Sequence, residues 1–586
     1  MNQKSIAVLP FVNMSSDSGN EYFSDGMTEE IINALAGIQE LKVTARTSSF
    51  AFKNRQVDVR HIGNQLGVST VLEGSIRKIK DRVRISAQLI RTDDGFHIWS
   101  EKYDRNLVHI FELQDEISLA IAEKIRENFG HFEVQDHLVK EGTKNVNAYD
   151  AYLQGRFYEL KWNHQATKRA IEHYKDSIRL DSQNPRPYFS IVQCYITLTF
   201  WNAINKQEGI RHAEFYLSKG AEINKNLPEY HLACAAQKIM LQWDATGSYD
   251  YFKKVLTQNP NHSEALESLA GLYITVGSFD EALQHISKAL EVNPLSPNHI
   301  FLKGNIYYFA GKYEKAIGMM EKVLNLDPNW IFAIQIKAAC LVLQGRKEVF
   351  EDFINSYSHL NFSKYYKNLF SLLHEHKDLD IELADDIDSE YQPWELYFYT
   401  LRGNFNEALQ KLRWGLNNQI GQYYCHRFDP FLSELRQQQE YRKLEAETKI
   451  TLPLLSRELQ TDQESVPLIS DDEEVQRLSK NLRFIMSEEQ LYLQQDLSLK
   501  SLADHLDTTA NKLSWLINET MNINFNDFVN GYRLQAFQEK ATDPKNQNFT
   551  LLGLAFESGF NSKSAFNDYF KKKTGATPRI WLKNHQ

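Results

Sequence analysis

The stretch LLGLAFESGFNSKSAFNDYFKKKTGATP, Leu551 to Pro578, decides how the rest of the chain is read. Leu551, Leu554, Ala555 and Phe556 form the apolar side of a short helix. Gly559 then supplies a turn through positive φ, and Asn561 is placed to cap the helix that follows. Ala565, Phe566, Tyr569 and Phe570 are the buried side of that second helix. Lys563, Asn567 and Lys571, at i, i+4 and i+8, lie on the opposite side. Gly575 ends it, and Thr577-Pro578 reads as an N-cap followed by a first-turn proline. The residues dictate two short helices at a tight turn, with a lysine-bearing outer face.

The same scheme occurs upstream in LSLKSLADHLDTTANKLSWLINETMN. Leu499, Leu502, Ala503 and Leu506 pack a first helix, Leu513, Leu516 and Ile517 a second, and Asp507-Thr508-Thr509 carries the capping residues between them. Helix, tight turn, helix is the unit whose second helix enters a major groove. A long helix joins the two copies, with Phe525, Phe528, Val529, Tyr532, Ala536 and Phe537 at i, i+3, i+4, i+7, i+11 and i+12. Charge divides unevenly. Residues 545–586 hold seven basic side chains against two acidic ones, and residues 499–544 four against six. The second unit is therefore expected to carry most phosphate affinity and the first mainly selectivity.

Two such units on one helix resemble the AraC family of bacterial transcription regulators over about 100 residues, through GFNSKSAFNDYFKKKTGATP and FNDFVNGYRL. That resemblance implies that Asn511, Lys512, Ser514 and Trp515 on the first reading helix face base edges or phosphates. On the second it implies the same of Ser562, Lys563 and Asn567. Arg533, Lys571, Lys572 and Arg579 fall to structural or DNA-backbone contacts. Two positions depart from the family pattern. Asn522 stands where glycine is usual, and asparagine is the next best residue for positive φ. Trp515 replaces a position often polar or basic, which leaves stacking on sugar, a protein contact or half-burial open.

Between about residues 147 and 447 the pattern is helical and self-similar. Pro260, Pro294 and Pro328 recur every 34 residues, as do Gly277, Gly311 and Gly345, Tyr273 and Tyr307, and Ala282 and Ala316. This is the tetratricopeptide period. Small Ala270 and Ala282 let paired helices approach, Gly277 ends the first helix of its pair, and Pro294 closes the unit. Six to eight pairs are expected, stacked as a superhelix whose concave face binds a protein or peptide partner. Tyr273, Tyr307 and Tyr308 read as packing positions. His374 and His376 flank Glu375, but alternate residues do not share a helix face, so surface histidines are expected rather than a metal site.

The amino-terminal third alternates β-rich and helical runs. IAVLPFVN is a buried strand, SDGMTEEIINALAGI a helix with Thr28 or Ser24 as cap, LKVTAR a strand and DVRHIGNQL a helix. A hairpin turns at Lys80-Asp81 and an edge strand follows. IFELQDEISLAIAEKIRENF, ending near Phe129, is the last helix. The motifs IAVLPFVN, EYFSDGMTEEI, ARTSSFAFK, VLEGSIRK and HIWSEKYDR resemble the TolB-like domain of bacterial signalling proteins, whose members share no agreed chemistry. Asp25, Glu29 and Glu30 read either as a metal or acid–base site or as acids favoured at a helix start. Arg46, Ser48 and Ser49 read as an anion site or as residues that cap and pair within the fold.

The expected fold is multidomain: an N-terminal α/β domain (1–130), a central all-α tetratricopeptide solenoid (147–447), a linker (448–474) and a C-terminal all-α double helix-turn-helix (475–586). The whole chain, 586 residues with 66 basic against 76 acidic side chains, has a formal charge of -10, so nucleic-acid contact has to be local. No apolar run reaches the roughly 20 residues of a bilayer crossing, so no membrane partner is expected. The amino terminus reads as a strand rather than a signal peptide. Cys194, Cys234, Cys340 and Cys425 are dispersed, suggesting neither a zinc site nor a disulfide framework, and a reducing cytoplasm is expected. No nucleotide-loop, zinc-protease or nucleophile-elbow motif occurs, so neither an enzyme nor a cofactor is expected. The function expected is a sequence-specific regulator binding double-stranded DNA, its output set by a protein partner on the repeats or a small ligand at the N-terminal domain. A protein-binding scaffold with a degenerate DNA module, or an enzyme partnered with nucleotide signalling, are the alternatives. One chain could cover two successive major grooves, and a homodimer four.

Overall fold

The computed structural model describes residues 4–585 apart from 16–17, 140–142, 162, 201–202, 380, 382, 384–391, 421–422 and 448–471. The expected linker lies almost wholly outside the described residues. In the N-terminal domain β1 (Ser5–Val8) pairs in parallel with β3 (Lys42–Val43) and β4 (Thr70–Ile79). Pro10, which has no N–H to give a ladder, interrupts the first strand. The chain resumes as β2 (Val12–Asn13), parallel to the far half of β4. β4, β5 (Arg82–Arg91) and β6 (His97–Asn106) then run antiparallel, with the expected turn at Lys80, whose φ is +52°.

Helices cover both faces of this sheet, which is why Ile6, Ala7 and Val8 are apolar in succession. Ile6 and Val8 meet α1 (Glu21–Ala36) and α4 (Ile110–Phe129). Ala7 meets the side holding α3 (Val59–Leu66), beside the short α2 (Arg46–Phe50). α1 begins earlier than expected, so Ser24 and Thr28 lie inside the helix and do not cap it. Thr28 instead donates to the Ser24 carbonyl and accepts the Phe11 N–H, tying helix to strand.

Asp25, Glu29 and Glu30 are likewise interior to α1, so neither a metal reading nor a helix-start reading describes them. Each has a cationic partner. Lys53 Nζ lies 2.6 Å from Asp25, Arg46 Nε 3.3 Å from Glu29, and Arg186 Nη1 3.5 Å from Glu30, while Arg156 closes directly on Glu29. Arg156 and Arg186 belong to the repeats. The acids of α1 thus form an ion network between the domain and the solenoid. Burial pushes Glu29 up, yet Arg156 and Arg46 hold it below the ordinary range; burial wins at Glu30 and Asp25, which are raised. Ser48 is also spent between domains. Its Oγ lies 2.6 Å from Asn293 Oδ1 and accepts the Leu295 N–H at 2.9 Å.

The solenoid follows the 34-residue period. Antiparallel pairs are Val146–Glu159 with His164–Leu180, Arg186–Phe200 with Lys206–Ile223, Pro228–Ala236 with Ala245–Gln258, Ser263–Thr275 with Phe279–Val292, Pro297–Phe309 with Tyr313–Leu326, Ile331–Leu343 with Lys347–Asn355, and Trp394–Leu401 with Phe405–Asn417. Gly277, Gly311 and Gly345 take positive φ at the turns, as their spacing predicts. Tyr273 and Tyr308 are buried, as expected of packing positions, and Tyr307 is partly buried. His374 is spent on the Val342 carbonyl at 2.7 Å. Among the described residues no group of three or more His, Cys, Asp or Glu could hold a metal ion, and no described helix is long and apolar enough to cross a membrane.

After the last pair the chain turns back as a strap along earlier turns. Gln419 donates to the Gln242 carbonyl, Tyr424 packs edge-on to Trp243 at 4.6 Å, Phe428 on Phe279 at 5.5 Å, and Phe431 on Tyr397 at 4.9 Å. Asp429 pins the strap by accepting from Tyr397 Oη and the Phe431 N–H. Burial pushes its carboxyl up to about 6, although both hydrogen bonds favour the charged form. In the unfolded chain it ionises near the ordinary 3.8. The folded chain therefore holds the proton more tightly, and this contribution to stability is lost as pH rises through about 6. Between about pH 5 and about pH 7.5, Asp429→Asn is expected to lose about 1 kcal/mol less stability than the native chain, read from urea midpoints at the two values.

Candidate nucleic-acid interface

Local rules build the carboxy-terminal module. Ser498 and Ser501 form a capping box at Leu499–His505, and Thr509 accepts the Lys512 N–H at the start of the first reading helix, Ala510–Met521. Asn522 ends that helix at φ +54°, as its place in the motif predicts. Asn524 caps the connecting helix Phe525–Thr542. Thr550 caps Leu551–Glu557, and Gly559 turns at φ +94°. Ser562, not Asn561, caps the second reading helix, Lys563–Thr574, its Oγ accepting the Ala565 N–H. Phe556, expected on the apolar side, is 37% exposed.

The connecting helix divides its apolar residues along its length. Phe525, Phe528 and Val529 enter the core of the first unit, Leu534, Phe537 and Ala541 that of the second. Arg533 lies at the join, buried, donating through Nε to the Tyr492 carbonyl at 2.8 Å and through Nη2 to that of Gln494 at 2.7 Å. Burial pushes its guanidinium down to about 10. It is a structural residue here. A helix at Asp472–Ser487 adds Leu478, Leu482, Ile485 and Met486 to the first core. Its i, i+4, i+7, i+8 spacing is visible in the sequence and marks a further element of the module.

The two reading helices differ in exposure. On the second, Lys563, Lys571 and Lys572 are exposed and Asn567 half-buried, so a cationic face is open to solvent. Lys572 and Lys573 bend back towards Asp527 at 3.4 and 3.7 Å, weak surface pairs that a phosphate can replace. On the first, only Glu519 and Thr520 are fully exposed. Lys512 Nζ is 2.6 Å from Glu474, Ser514 is buried, and Trp515 is half-buried against the first core. The Asn511 amide meets the backbone of Val134, accepting its N–H at 3.2 Å and donating to its carbonyl at 3.1 Å, and also accepts from Arg126. The structure thus brings together the open lysines of the second unit, buries Ser514 and engages the half-buried Asn511 with the Val134 backbone.

Residues 502–584 match the helix-turn-helix domain family, residues 2–119 the second domain of HilA/YgeH-like transcriptional regulators, and residues 300–329 the tetratricopeptide repeat. "Putative adenylate cyclase 3" of Rhizobium meliloti (strain 1021) is 43% identical over 159 residues, which are 27% of this chain and 27% of that protein. The chain thus spans about a quarter of the length of that relative. Among solved structures, the repeats are similar to YrrB, described as a TPR protein with an unusual peptide-binding site (20% identity, 34% of this chain and 98% of that one, TM-score 0.23). They are also similar to a thermophilic TPR protein of Thermus thermophilus (13%, 33% and 99%, TM-score 0.28) and to the human IFIT1 dimer with PPP-AAAA (14%, 57% and 79%, TM-score 0.34). The matched domains are those of a DNA-binding transcription regulator joined to protein-binding repeats, with no enzymatic domain among them.

Proposed function

We propose that this protein is a cytoplasmic, sequence-specific transcription regulator that reads double-stranded DNA with its two C-terminal units and takes its signal through the first two domains. The observation that carries this reading is the open second reading helix, with Lys563, Asn567 and Lys571 on one side of a helix-turn-helix. Lys571 and Lys572 are assigned to phosphates and Lys563 and Asn567 to base edges. The Ser562 hydroxyl, which caps its helix, can meet a phosphate through its remaining donor. Lys512, Ser514 and Trp515 keep their assignment on the first reading helix once that helix is uncovered, Ser514 being buried in this arrangement. The domain division at 130, 147, 447 and 475 is retained, and the ordered motifs of residues 1–130 support a TolB-like kinship beside the HilA/YgeH-like match. The repeats would take a protein or peptide partner and the N-terminal domain a small ligand; a homodimer would double the number of grooves read. No catalytic role is assigned.

Selection from a random duplex library at two salt concentrations tests this. The full-length chain is expected to enrich a defined motif that survives the higher salt. Lys563→Ala with Asn567→Ala is expected to relax that motif and weaken binding at least tenfold, about 1.4 kcal/mol or more. A motif unchanged in the double variant would remove the second helix from the reading. The hydrogen bonds of Asn511 to Val134 favour one other reading, a scaffold whose first unit binds protein; it predicts no enriched motif at either salt.

A further inference from the structure

The first reading helix has a ligand already, and it is the N-terminal domain. Asn511, Ser514 and Asn518 share one helix face at i, i+3 and i+7. Asn511 exchanges two hydrogen bonds with the Val134 backbone, as an asparagine amide does with an adenine edge. Ser514 is 2% exposed, and a Cβ on Gly130 would stand 2.9 Å from Asn518 Oδ1. Around this face the carboxy end of α4 meets two helix starts of the first unit. Glu127 accepts the Leu499 N–H at 3.0 Å, and Asn524 Nδ2 donates to the Asn128 carbonyl at 3.0 Å. Glu127 and Arg126 are themselves buried, so these are built contacts rather than surface accidents. On the second reading helix, Asp568 lies within electrostatic reach of Arg91 of the domain.

We propose that the N-terminal domain masks the first reading helix, so that the resting protein reads DNA through its second unit alone and gains the first only when α4 and the 130–134 segment release Asn511. The proposal rests on the regulator reading above. A duplex cannot pair with Asn511 while Val134 holds its amide, because the Oδ1 and Nδ2 edge that would meet a base is occupied by the Val134 backbone. Release has an evident route. The segment that holds Asn511 is continuous with the chain that leads into the first repeat, and Asp115 fixes it farther on by accepting the Leu138 and Val139 N–H groups at 2.7 and 3.0 Å. A partner that shifts the first repeat against α1 pulls on the same segment.

The test compares the full-length chain with Arg126→Ala/Glu127→Gln, which loosens the mask and leaves every proposed DNA-reading residue in place. Both are passed through a random duplex library, and hydrogen exchange is followed on the native chain with and without its enriched duplex. The native chain is expected to enrich one short motif. The variant should enrich two, about 10 base pairs apart, and bind at least tenfold more tightly. A duplex carrying both motifs should speed exchange at the Val134 and Leu499 amides of the native chain. Paired motifs in the native chain, with those two amides unchanged on binding, would overturn the mask. If the double variant does not fold, Glu127→Gln alone, which keeps Arg126 and its ion pair with Glu123, takes its place in both the selection and the affinity measurement. If neither protein enriches any motif, the DNA reading itself fails and the mask with it.

Discussion

Arg156→Ala is expected to lower the stability of the N-terminal and repeat region by about 3 kcal/mol, because it strips one cation from two largely buried carboxylates. Arg156 pairs with Glu29 of α1 and, 2.9 Å away, with Glu159 of its own helix. Without it, among the described residues, Glu29 keeps Arg46 as its ion-pair partner and Glu159 keeps the Tyr174 hydroxyl. Pairing holds Glu29 below the ordinary 4.5, so its contribution is present above that value and fades as acid protonates it. The loss in Arg156→Ala should accordingly be largest near neutrality and shrink on acidification, which denaturant midpoints at two pH values will read. Glu29→Gln/Arg156→Met is expected to recover more than half of the loss, since the charges are then removed together. A single variant within about 0.5 kcal/mol of the native chain would mean that solvent screens the pair.

Gly559→Ala should be the most damaging small substitution in the C-terminal module, at about 3 kcal/mol or more. Two costs combine. Any L side chain at φ +94° is strained, and a Cβ there would press far inside contact distance of the Tyr492 carbonyl and 3.0 Å from Arg533 Nε. Both neighbours are backbone or held by backbone, so neither can yield cheaply. Gly575 separates the two costs, since it has φ +74° and a Cβ there would meet nothing within 4 Å. Gly575→Ala should therefore lose only the backbone share, about 1 kcal/mol. Equal losses in the two variants, by thermal unfolding of the full chain, would show that the turn moves away from Tyr492.

Much of this was legible from spacing. The 34-residue step placed the turns at Gly277, Gly311 and Gly345, and the motif around Gly559 placed the second reading helix, because caps, turns and apolar faces are decided within a few residues. What escaped the sequence is decided between segments far apart. Glu29 and Glu30 looked like part of a helix start because Arg156 and Arg186, which pair with them, lie in another domain. Asn511 looked free because nothing near it in sequence announces Val134. Ser562 took the cap from Asn561, a shift of one residue that only the helix geometry fixes.

The strap changes what kind of object the solenoid is. Repeats that touch only their neighbours can nucleate anywhere, fray from the ends and lose units one by one. Here Gln419 bonds Gln242 across 177 residues, and the aromatic rings that follow rivet successive turns together. That closure costs chain entropy before it returns any contact, so the array should fold slowly and late. On the ribosome, turns made early keep bare apolar edges until Phe431 has emerged, a window in which a chaperone has something to hold. Once shut, the part of the array between Gln242 and Phe431 should resist pulling as a buckled belt does and yield all at once.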